Sequence, residues 1–380
     1  MNKTYISKSQ ALMLGITGIT VTGHLLFIPV ILGHAGRDSW ISLLLAILPA
    51  ILMGFIVALL AQRYPGQSMV EYSQLILGKW LGKFVVIIFL LYLFHEVSLA
   101  IRGFGEFYTS AVTPRTPILI YLVAILILAG YAVRSGLEVI ARTNQAILVF
   151  LIPIGVLASA LTHKDKDYRN FLPILEDSFE PVIHGTLTLV ALYSSIFVLS
   201  MIFPFINDTK QLKRYSIVTM MILIIMFVGP ITGVIAIYGE ERGEGLYFPT
   251  FLILRDVQIG AFQRLDILGI LLWSLGSFGK ATVFLYAMSL GIAQLFKVDD
   301  YKMLVTPLAA LLAIVSIINS EDLIGIYRFL KNYYPYYATF VGLILPLVLL
   351  TISQFRKTGQ KLEGRKSDDK TKETSKSNKN

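Results

Sequence analysis

Ten long apolar stretches, separated by shorter polar connections, make up most of the chain. They lie at about residues 11–33, 41–62, 81–107, 117–133, 138–161, 182–206, 216–238, 265–296, 302–319 and 336–354. Each is about long enough to cross the hydrocarbon core of a bilayer as a helix, which takes roughly 20 residues. The pattern therefore predicts an all-α membrane protein with ten transmembrane helices, here called the first to tenth spans.

Two of these spans are interrupted at matching positions in the two halves of the chain. The small or helix-breaking residues are Gly15, Gly18, Gly23 and Pro29 in the first span, and Gly185, Ser194, Ser195 and Pro204 in the sixth. Irregular backbone at membrane depth is tolerated where it lines a cavity. Paired interruptions of this kind point to a binding site in a secondary-transporter fold. We therefore expect a small solute to bind inside the membrane.

The ten spans divide into halves of five, at about residues 1–161 and 182–354. Because five is odd, the second half enters the membrane from the opposite side to the first, and the two halves are inverted. An inverted five-plus-five repeat with broken helices 1 and 6 is the LeuT-type architecture. We expect this fold for residues 1–355, as one transmembrane domain.

The composition excludes a water-soluble domain, because 55% of the residues are hydrophobic, 15% are charged and the mean hydropathy is +0.70. The chain has no cysteine, which excludes disulfides and thiolate chemistry. It also has no zincin-type metal motif and no phosphate-binding Gly-rich loop. We therefore expect no metal, no other cofactor and no nucleic acid partner.

Lysine and arginine are concentrated in the connections that share a side with the N-terminus. By the positive-inside rule, both termini are predicted to be cytoplasmic. Residues 356–380 are rich in lysine, serine and asparagine, a composition typical of a disordered tail. The positive charge of this tail favours contact with anionic membrane lipid.

Three ionisable residues fall deep within apolar spans: Lys280 in the eighth, and His95 and Glu96 in the third. A charge at this depth costs roughly 3 kcal/mol even on insertion scales, so it should pair with another charge, face a cavity or be neutral. Arg102 and Glu106 stand one helical turn apart and are predicted to pair with each other. That pairing leaves Glu96 as the predicted partner of Lys280.

Two interpretations of the Glu96–Lys280 pair remain open. It is either a structural contact that locks helices together or part of a solute, cation or proton site. His95 is likewise open between a proton relay and a hydrogen-bonded helix contact. We predict a coupling or ion-pathway role for Glu96, Lys280 and His95.

Small residues and hydroxyls at the two interruptions form the predicted solute site. Its residues are Gly18, Thr20, Thr22, Gly23, Tyr193, Ser194 and Ser195. Half-helix N-termini attract anions and C-termini attract cations, which together suit a zwitterion such as an amino acid. For each hydroxyl taken alone, a bond to the preceding helical turn is the alternative. His24, beside Gly23, is expected to bond freed backbone rather than solute.

The two longest connections, at 162–181 and 239–264, are assigned to the outer side. Either is open to interpretation as a lid, a docking surface or an ordinary connection. In the second, the amphipathic pattern from Thr250 to Gly260 predicts a short surface helix.

Four separated strings carry a family resemblance. They are AGRDSWIS (35–42), YPGQSMVEYSQLILGKWLGK (64–83), RNFLPILEDSFEPVIHG (169–185) and FPTFLILRDVQIGAFQRLDILGILLWSLGSFGKATVFLYAMSLGIAQLF (248–296). With the ten spans, they resemble the B subunit of spore germinant receptors, the GerAB-type family. That family is similar to amino acid–polyamine–organocation transporters. The resemblance covers nearly the whole chain except the basic tail.

The resemblance implies a nutrient-sensing subunit in the inner membrane of the spore, which binds an amino acid, a sugar or a nucleoside. It also implies an A subunit and a C lipoprotein subunit as partners. The alternative is a secondary active transporter of amino acids or related solutes, which needs the same pocket. An intramembrane enzyme is not expected, because no nucleophile-and-base pattern accompanies the buried charges.

Overall fold

The structure, a computed structural model, describes residues 5–357 except Asp177, Asn207, Asp208, Gly260, Ala261 and Arg264. Every predicted span falls on helical structure. The α-helices of the spans are Lys8–Thr22 and Ile28–Ala35 (first), Ser39–Arg63 (second), Lys79–Phe107 (third), Ile118–Ser135 (fourth), Leu137–Leu161 (fifth), Glu180–Tyr193 (sixth), Leu212–Glu244 (seventh), Asp266–Phe296 (eighth), Lys302–Ile318 (ninth), and Tyr334–Thr339 with Leu345–Arg356 (tenth). The predicted basic tail lies outside the described residues, apart from Arg356 and Lys357.

Short elements connect the spans. They are the helices Met69–Leu77, Pro249–Asp256 and Leu323–Asn332, the 3-10 turns Gly36–Asp38, His163–Asp165 and Tyr168–Phe171, and the antiparallel strands Gln258–Ile259 and Phe262–Gln263, in which Gln258 pairs with Gln263. The helix Pro249–Asp256 covers the first part of the amphipathic helix predicted from Thr250 to Gly260. The predicted end is wrong, because the helix stops at Asp256 and the strand Gln258–Ile259 follows; Gly260 lies outside the described residues. Phe251 in this helix is buried, so the helix packs onto the protein.

Within the described ranges, eight helical stretches are long and apolar enough to cross a membrane. The number is nine if the bent pair Lys302–Ile318 and Leu323–Asn332 counts as one crossing. The longest stretch, Lys8–Arg63, contains both the first and the second span. These two spans meet at Gly36, whose φ of 49° is a conformation that glycine adopts at little cost. The chain is thus a multi-pass, all-helical membrane protein.

Helix ends follow from local chemistry. The Ser7 hydroxyl accepts from the Gln10 amide (3.1 Å) while the Gln10 side chain accepts from the Ser7 amide (3.0 Å). This capping box satisfies two backbone donors at the start of the first span. Gly136, with a φ of 103°, separates the fourth span from the fifth. Glycine is favoured there because a side chain at positive φ is strained.

The first span departs from α geometry at the predicted interruption, as a π-helical turn over Gly23–Phe27. In this register the Ile28 amide bonds the Gly23 carbonyl. The next donor would be Pro29, which has no N–H. The His24 carbonyl instead accepts from the Thr250 hydroxyl, at 3.4 Å. The first span therefore stays helical through its interruption, and the His24 carbonyl accepts a hydrogen bond from a residue outside the span.

The sixth span departs from α geometry at the matching place. Its α-helix ends at Tyr193 and continues as a 3-10 helix over Ser194–Met201, followed by a second 3-10 turn over Phe203–Phe205. The Phe205 carbonyl accepts from the Ile6 amide at 2.9 Å, so the chain ahead of the first span pairs with the end of the sixth. The two interrupted spans are thereby joined at one end.

The spans differ in how far the rest of the protein encloses them. In the most apolar window of each, 78% of the sixth and 67% of the third are buried, against 33% of the fourth and 22% of the fifth. Large apolar side chains on the outer spans, such as Ile127 and Phe150, are exposed. Such positions suit contact with lipid tails. The third and sixth spans therefore belong to the centre of the bundle.

The two ends of the bundle are distinguished by the contacts between spans. At one end, called the terminal face, Arg63 donates to the Ser353 carbonyl at 2.8 Å. At the other end, called the loop face, Arg37 reaches both Glu176 and Glu240. These contacts hold the connections between spans against the bundle.

Glycines allow the first and eighth spans to approach closely. A Cβ added to Gly276 would lie 1.8 Å from a methyl of Val21, and one added to Gly279 would lie 2.3 Å from the methyl of Thr17. Small residues at such contacts let helix backbones pack closely in membranes. The packing brings Lys280, one residue further along, into the centre of the bundle, where it is fully buried.

We expect Gly276→Ala to destabilise the protein by about 1–3 kcal/mol, because the β-branched Val21 cannot move aside without shifting a helix. The matched control is Gly155→Ala on the fifth span, where an added Cβ meets nothing within 4 Å. The measurement is the thermal unfolding midpoint of each purified variant in detergent. Equal midpoints for the two variants would contradict this account of the packing.

Candidate functional site

The deepest polar contact of the described residues is an ion pair between the third and eighth spans. Lys280 Nζ lies 2.8 Å from Glu96 Oε1, and the two side chains are only 1% and 2% exposed. The predicted contact is therefore present. Its coupling role stays a prediction.

The sixth span joins this pair through its 3-10 segment. The Ser195 hydroxyl donates to Glu96 Oε1, the same oxygen that accepts from Lys280. One carboxylate thus ties the third, sixth and eighth spans together. Glu96 Oε2 is buried and has no hydrogen-bond partner among the described residues.

Ser194 forms a second link between the third and sixth spans. Its hydroxyl donates to the Ala191 carbonyl at 2.6 Å and lies 2.9 Å from the Tyr92 hydroxyl. Because the serine hydrogen is already used, Tyr92 is the donor in the second bond. The tenth span closes over this point, since a Cβ added to Gly342 would lie 2.2 Å from that of Ser194.

His95 belongs to a neighbouring cluster rather than to the ion pair. Its Nδ1 lies 2.6 Å from the Tyr337 hydroxyl, and its ring packs edge-on against Phe329. Its carbonyl accepts from Ser98, whose oxygen accepts from Asn319 at 2.5 Å. These bonds match the interpretation of His95 as a hydrogen-bonded helix contact.

The predicted residues of the first span pack against three different spans. Gly18 faces Phe284 of the eighth span, and that ring also lies 4.9 Å from Lys280 Nζ. The Thr20 hydroxyl donates to the Ile16 carbonyl at 2.8 Å, which is the alternative considered for a single hydroxyl. Gly23 faces the seventh and sixth spans, and Thr22 is buried.

The structure therefore divides these predicted solute residues between a polar cluster around Glu96 and an aromatic cluster around Phe227. Ser194 and Ser195 share the centre with Glu96 and Lys280. Tyr193 points elsewhere, edge-on to the ring of Phe227, which also fills the space beside Gly23. The two interruptions thus meet at an aromatic residue of the seventh span.

Sequence reasoning missed Phe227, Phe284 and Tyr337. Aromatic residues in an apolar span carry no periodic signal that separates a site position from a lipid-facing one. Gly18 and Gly23 gave the available signal, because a glycine in a helix marks a place where a neighbour's side chain approaches closely.

The predicted solute residues are buried in this conformation. Two cavities, of about 70 and 10 Å³, are lined by other residues. The larger lies at the loop face beside His34, Arg37 and Glu240. The predicted residues of the sixth span pack tightly against neighbouring spans, since Tyr193, Ser194 and Ser195 are each 0% exposed.

The second predicted ion pair is also confirmed. Arg102 Nε lies 2.8 Å from Glu106 Oε1, one turn away on the third span. The guanidinium also donates to the carbonyls of Ile317 (2.9 Å) and Glu321 (3.1 Å), at the end of the ninth span.

Among the described residues, no group of three or more His, Cys, Asp or Glu is arranged to hold a metal ion.

The fold and the buried site define a transporter-like membrane protein of the LeuT type. The crystal structure of MhsT in complex with L-phenylalanine superposes with a TM-score of 0.55, covering 93% of this chain and 99% of that one at 13% identity. The likeness at this identity is one of fold.

A family model described as spore germination protein matches residues 5–324, and the chain belongs to this family. Spore germination protein KB of Bacillus subtilis (strain 168) is 27% identical over 329 residues, 85% of this chain and 88% of that protein. Spore germination protein XB of Bacillus anthracis is 27% identical over 344 residues, 90% and 94% of the two chains. The family resemblance carried by the four strings is confirmed.

We expect the double variant Glu96→Gln/Lys280→Met to be tolerated better than either single variant. Removing one partner leaves a buried, unpaired charge, which costs roughly 3–5 kcal/mol, whereas removing both leaves none. The measurement is the unfolding midpoint of the purified proteins, analysed as a double-mutant cycle. A double variant whose loss equals the sum of the two single losses would mean that Glu96 and Lys280 do not stabilise each other.

Proposed function

We propose that this protein is the nutrient-sensing membrane subunit of a spore germinant receptor, which binds a small germinant of the amino acid, sugar or nucleoside class in a transporter-like pocket. Membership of the spore germination protein family supports the process. The LeuT-type fold supports solute binding between the first and sixth spans. The observation that carries the proposal is the buried Lys280–Glu96–Ser195 contact at the sixth-span interruption.

In this proposal the closed arrangement is one of two conformations. Solute enters between the first and sixth spans and meets the small residues and hydroxyls of the two interruptions. Separating Ser195 from Glu96 and Ser194 from Tyr92 breaks the polar links that hold the sixth span to the ion pair and to the third span. Solute shifts the population to the extent that it binds the open arrangement more tightly than the closed one.

Glu96 and Lys280 are the coupling residues of this mechanism. Because one oxygen of Glu96 accepts hydrogen bonds from Ser195 and Lys280, it connects three helices. A movement of any one of these helices therefore changes its contacts with the other two. Low polarity around the pair strengthens the attraction and makes its rupture costly. The solute has to compensate for that cost, which makes the response selective.

The family resemblance further supports the setting. We place the protein in the inner membrane of the spore with both termini cytoplasmic, working with an A subunit and a C lipoprotein subunit. The basic C-terminal residues then face the anionic lipid of the cytoplasmic leaflet. The receptor role requires no catalysis, and we propose none.

A secondary active transporter is the second candidate. The fold likeness to MhsT, solved with L-phenylalanine, favours it, because the same architecture supports alternating access. Uptake of radiolabelled nutrients into proteoliposomes separates the two functions. Concentrative uptake by this subunit alone would favour the transporter, and saturable binding without uptake would favour the receptor.

We expect Lys280→Ala to abolish the germination response while the protein still inserts into the membrane. Truncation removes the cation that positions Glu96, so solute binding no longer changes the contacts between spans. The measurement is germination across a nutrient panel, in spores whose only receptor contains this subunit. The matched control is Lys79→Ala, at an exposed lysine.

The amount of each variant in the membrane is measured by immunoblot in the same spores. A normal response from correctly assembled Lys280→Ala protein would remove this residue from the mechanism. The panel also identifies the nutrient class from the response of the unmodified receptor.

A further inference from the structure

Phe227 of the seventh span lies between the two interrupted spans. Its ring packs edge-on against His24, with ring centroids 4.7 Å apart, and edge-on against Tyr193, at 5.8 Å. The residue is 0% exposed. One aromatic side chain therefore contacts the π-helical turn of the first span and the last α-helical residue of the sixth.

Gly23 provides the space that this ring fills. A Cβ added to Gly23 would lie 2.1 Å from Phe227 Cζ and 2.8 Å from a methyl of Leu192. The contact is made by the far end of the phenylalanine, which can leave by rotation about its side-chain bonds. Phe227 is thus placed to occupy or vacate the space between the interruptions.

The two residues that pack against this ring each carry a buried polar atom without a partner among the described residues. These atoms are Nε2 of His24 and the hydroxyl of Tyr193. Tyr193 is 0% exposed, so its hydroxyl is not served by bulk water. A buried polar group without a hydrogen bond is costly, and such groups in native proteins call for an explanation. One explanation is a hydrogen-bond partner that enters when the Phe227 ring moves.

The chemistry of the two atoms selects the partner. We assign the proton of a neutral His24 ring to Nδ1, which leaves Nε2, without a partner among the described residues, as the acceptor. A neutral imidazole that donates through Nδ1 presents a lone pair at Nε2. The Tyr193 hydroxyl can accept as well as donate. The two groups together suit a hydrogen-bond donor, such as a hydroxyl or an amine.

We propose that His24 and Tyr193 form a donor-binding subsite for the solute, and that the Phe227 ring closes it when no solute is bound. The subsite takes a hydroxyl or amino group, with the acceptor at His24 Nε2 and the second bond at the Tyr193 hydroxyl. This inference rests on the proposed function and adds a recognition element on the opposite side of the sixth span from the ion pair.

Contacts around the subsite connect it to the loop face. Thr250, in the helix Pro249–Asp256, donates to the His24 carbonyl at 3.4 Å. Phe251 of the same helix is buried against Trp273, with ring centroids 5.4 Å apart. The helix therefore covers the first-span turn that carries His24. A solute that reaches the subsite from the loop face passes this helix.

The test uses Phe227→Ala, which leaves a space the size of a phenyl group next to the rings of His24 and Tyr193. The probes are phenol, which carries a donor, and benzene, which has nearly the same shape without one. We expect phenol to stabilise the purified variant at about a tenfold lower concentration than benzene, the effect of one or two neutral hydrogen bonds. The readout is the thermal unfolding midpoint as a function of probe concentration.

Two controls make the comparison specific. Phe150→Ala removes the same ring from an outward-facing position, 64% exposed, and reports partition of the probes into detergent. Phe227→Ala/Tyr193→Phe removes one of the two polar atoms and keeps the cavity. We expect no preference for phenol in Phe150→Ala, and a smaller preference in Phe227→Ala/Tyr193→Phe, because the acceptor at His24 Nε2 remains there. Equal affinity for the two probes in Phe227→Ala, or a preference that Tyr193→Phe leaves undiminished, would overturn the proposal.

A second test uses Tyr193→Phe alone, without the cavity that Phe227→Ala creates. Because the Tyr193 hydroxyl has no partner among the described residues, Tyr193→Phe alone should leave the unfolding midpoint unchanged or raise it. A marked loss of stability would show that the hydroxyl is already bonded and would also overturn the proposal. Neither experiment uses a nutrient or Lys280, so a failure here leaves the germinant proposal standing, and a failure of the Lys280 test leaves the donor subsite standing.

Discussion

A lysine and a glutamate, held together and buried away from water, impose the main constraint on this molecule. Neither charge is tolerable alone at that depth, so the third and eighth spans must keep the two groups in contact. Ser195 brings the sixth span into the same contact. The arrangement of the central helices therefore depends on a single carboxylate.

The two interrupted spans depart from α geometry in different ways. A π-helical turn in the first span widens the helix at Gly23 and leaves the His24 carbonyl to an outside donor. A tighter 3-10 segment in the sixth span begins at Ser194 and presents Ser195 to Glu96. Most residues of both segments are buried, so the protein carries irregular backbone inside the bundle.

Much of this arrangement follows from patterns in the chain. Hydropathy located every span, and the third span's arginine–glutamate spacing identified the pair of Arg102 and Glu106. Glu96 and Lys280 could be matched because each lacked a partner at helical spacing on its own span. His95 could not be assigned in the same way. Its partner Tyr337 lies 242 positions away and is uncharged, so no unpaired charge in the sequence indicates the contact.

The amino-acid sequence by itself determined the class of protein, the positions of the spans and their interruptions, and the need for a buried ion pair, because apolar length and uncompensated charge are properties of residues. Only the tertiary structure decided that Ser195 shares the Glu96 oxygen and that Phe227 fills the space beside Gly23. Those contacts depend on how one helix is rotated against another. Packing of side chains from distant parts of the chain sets that rotation, and no local pattern records it.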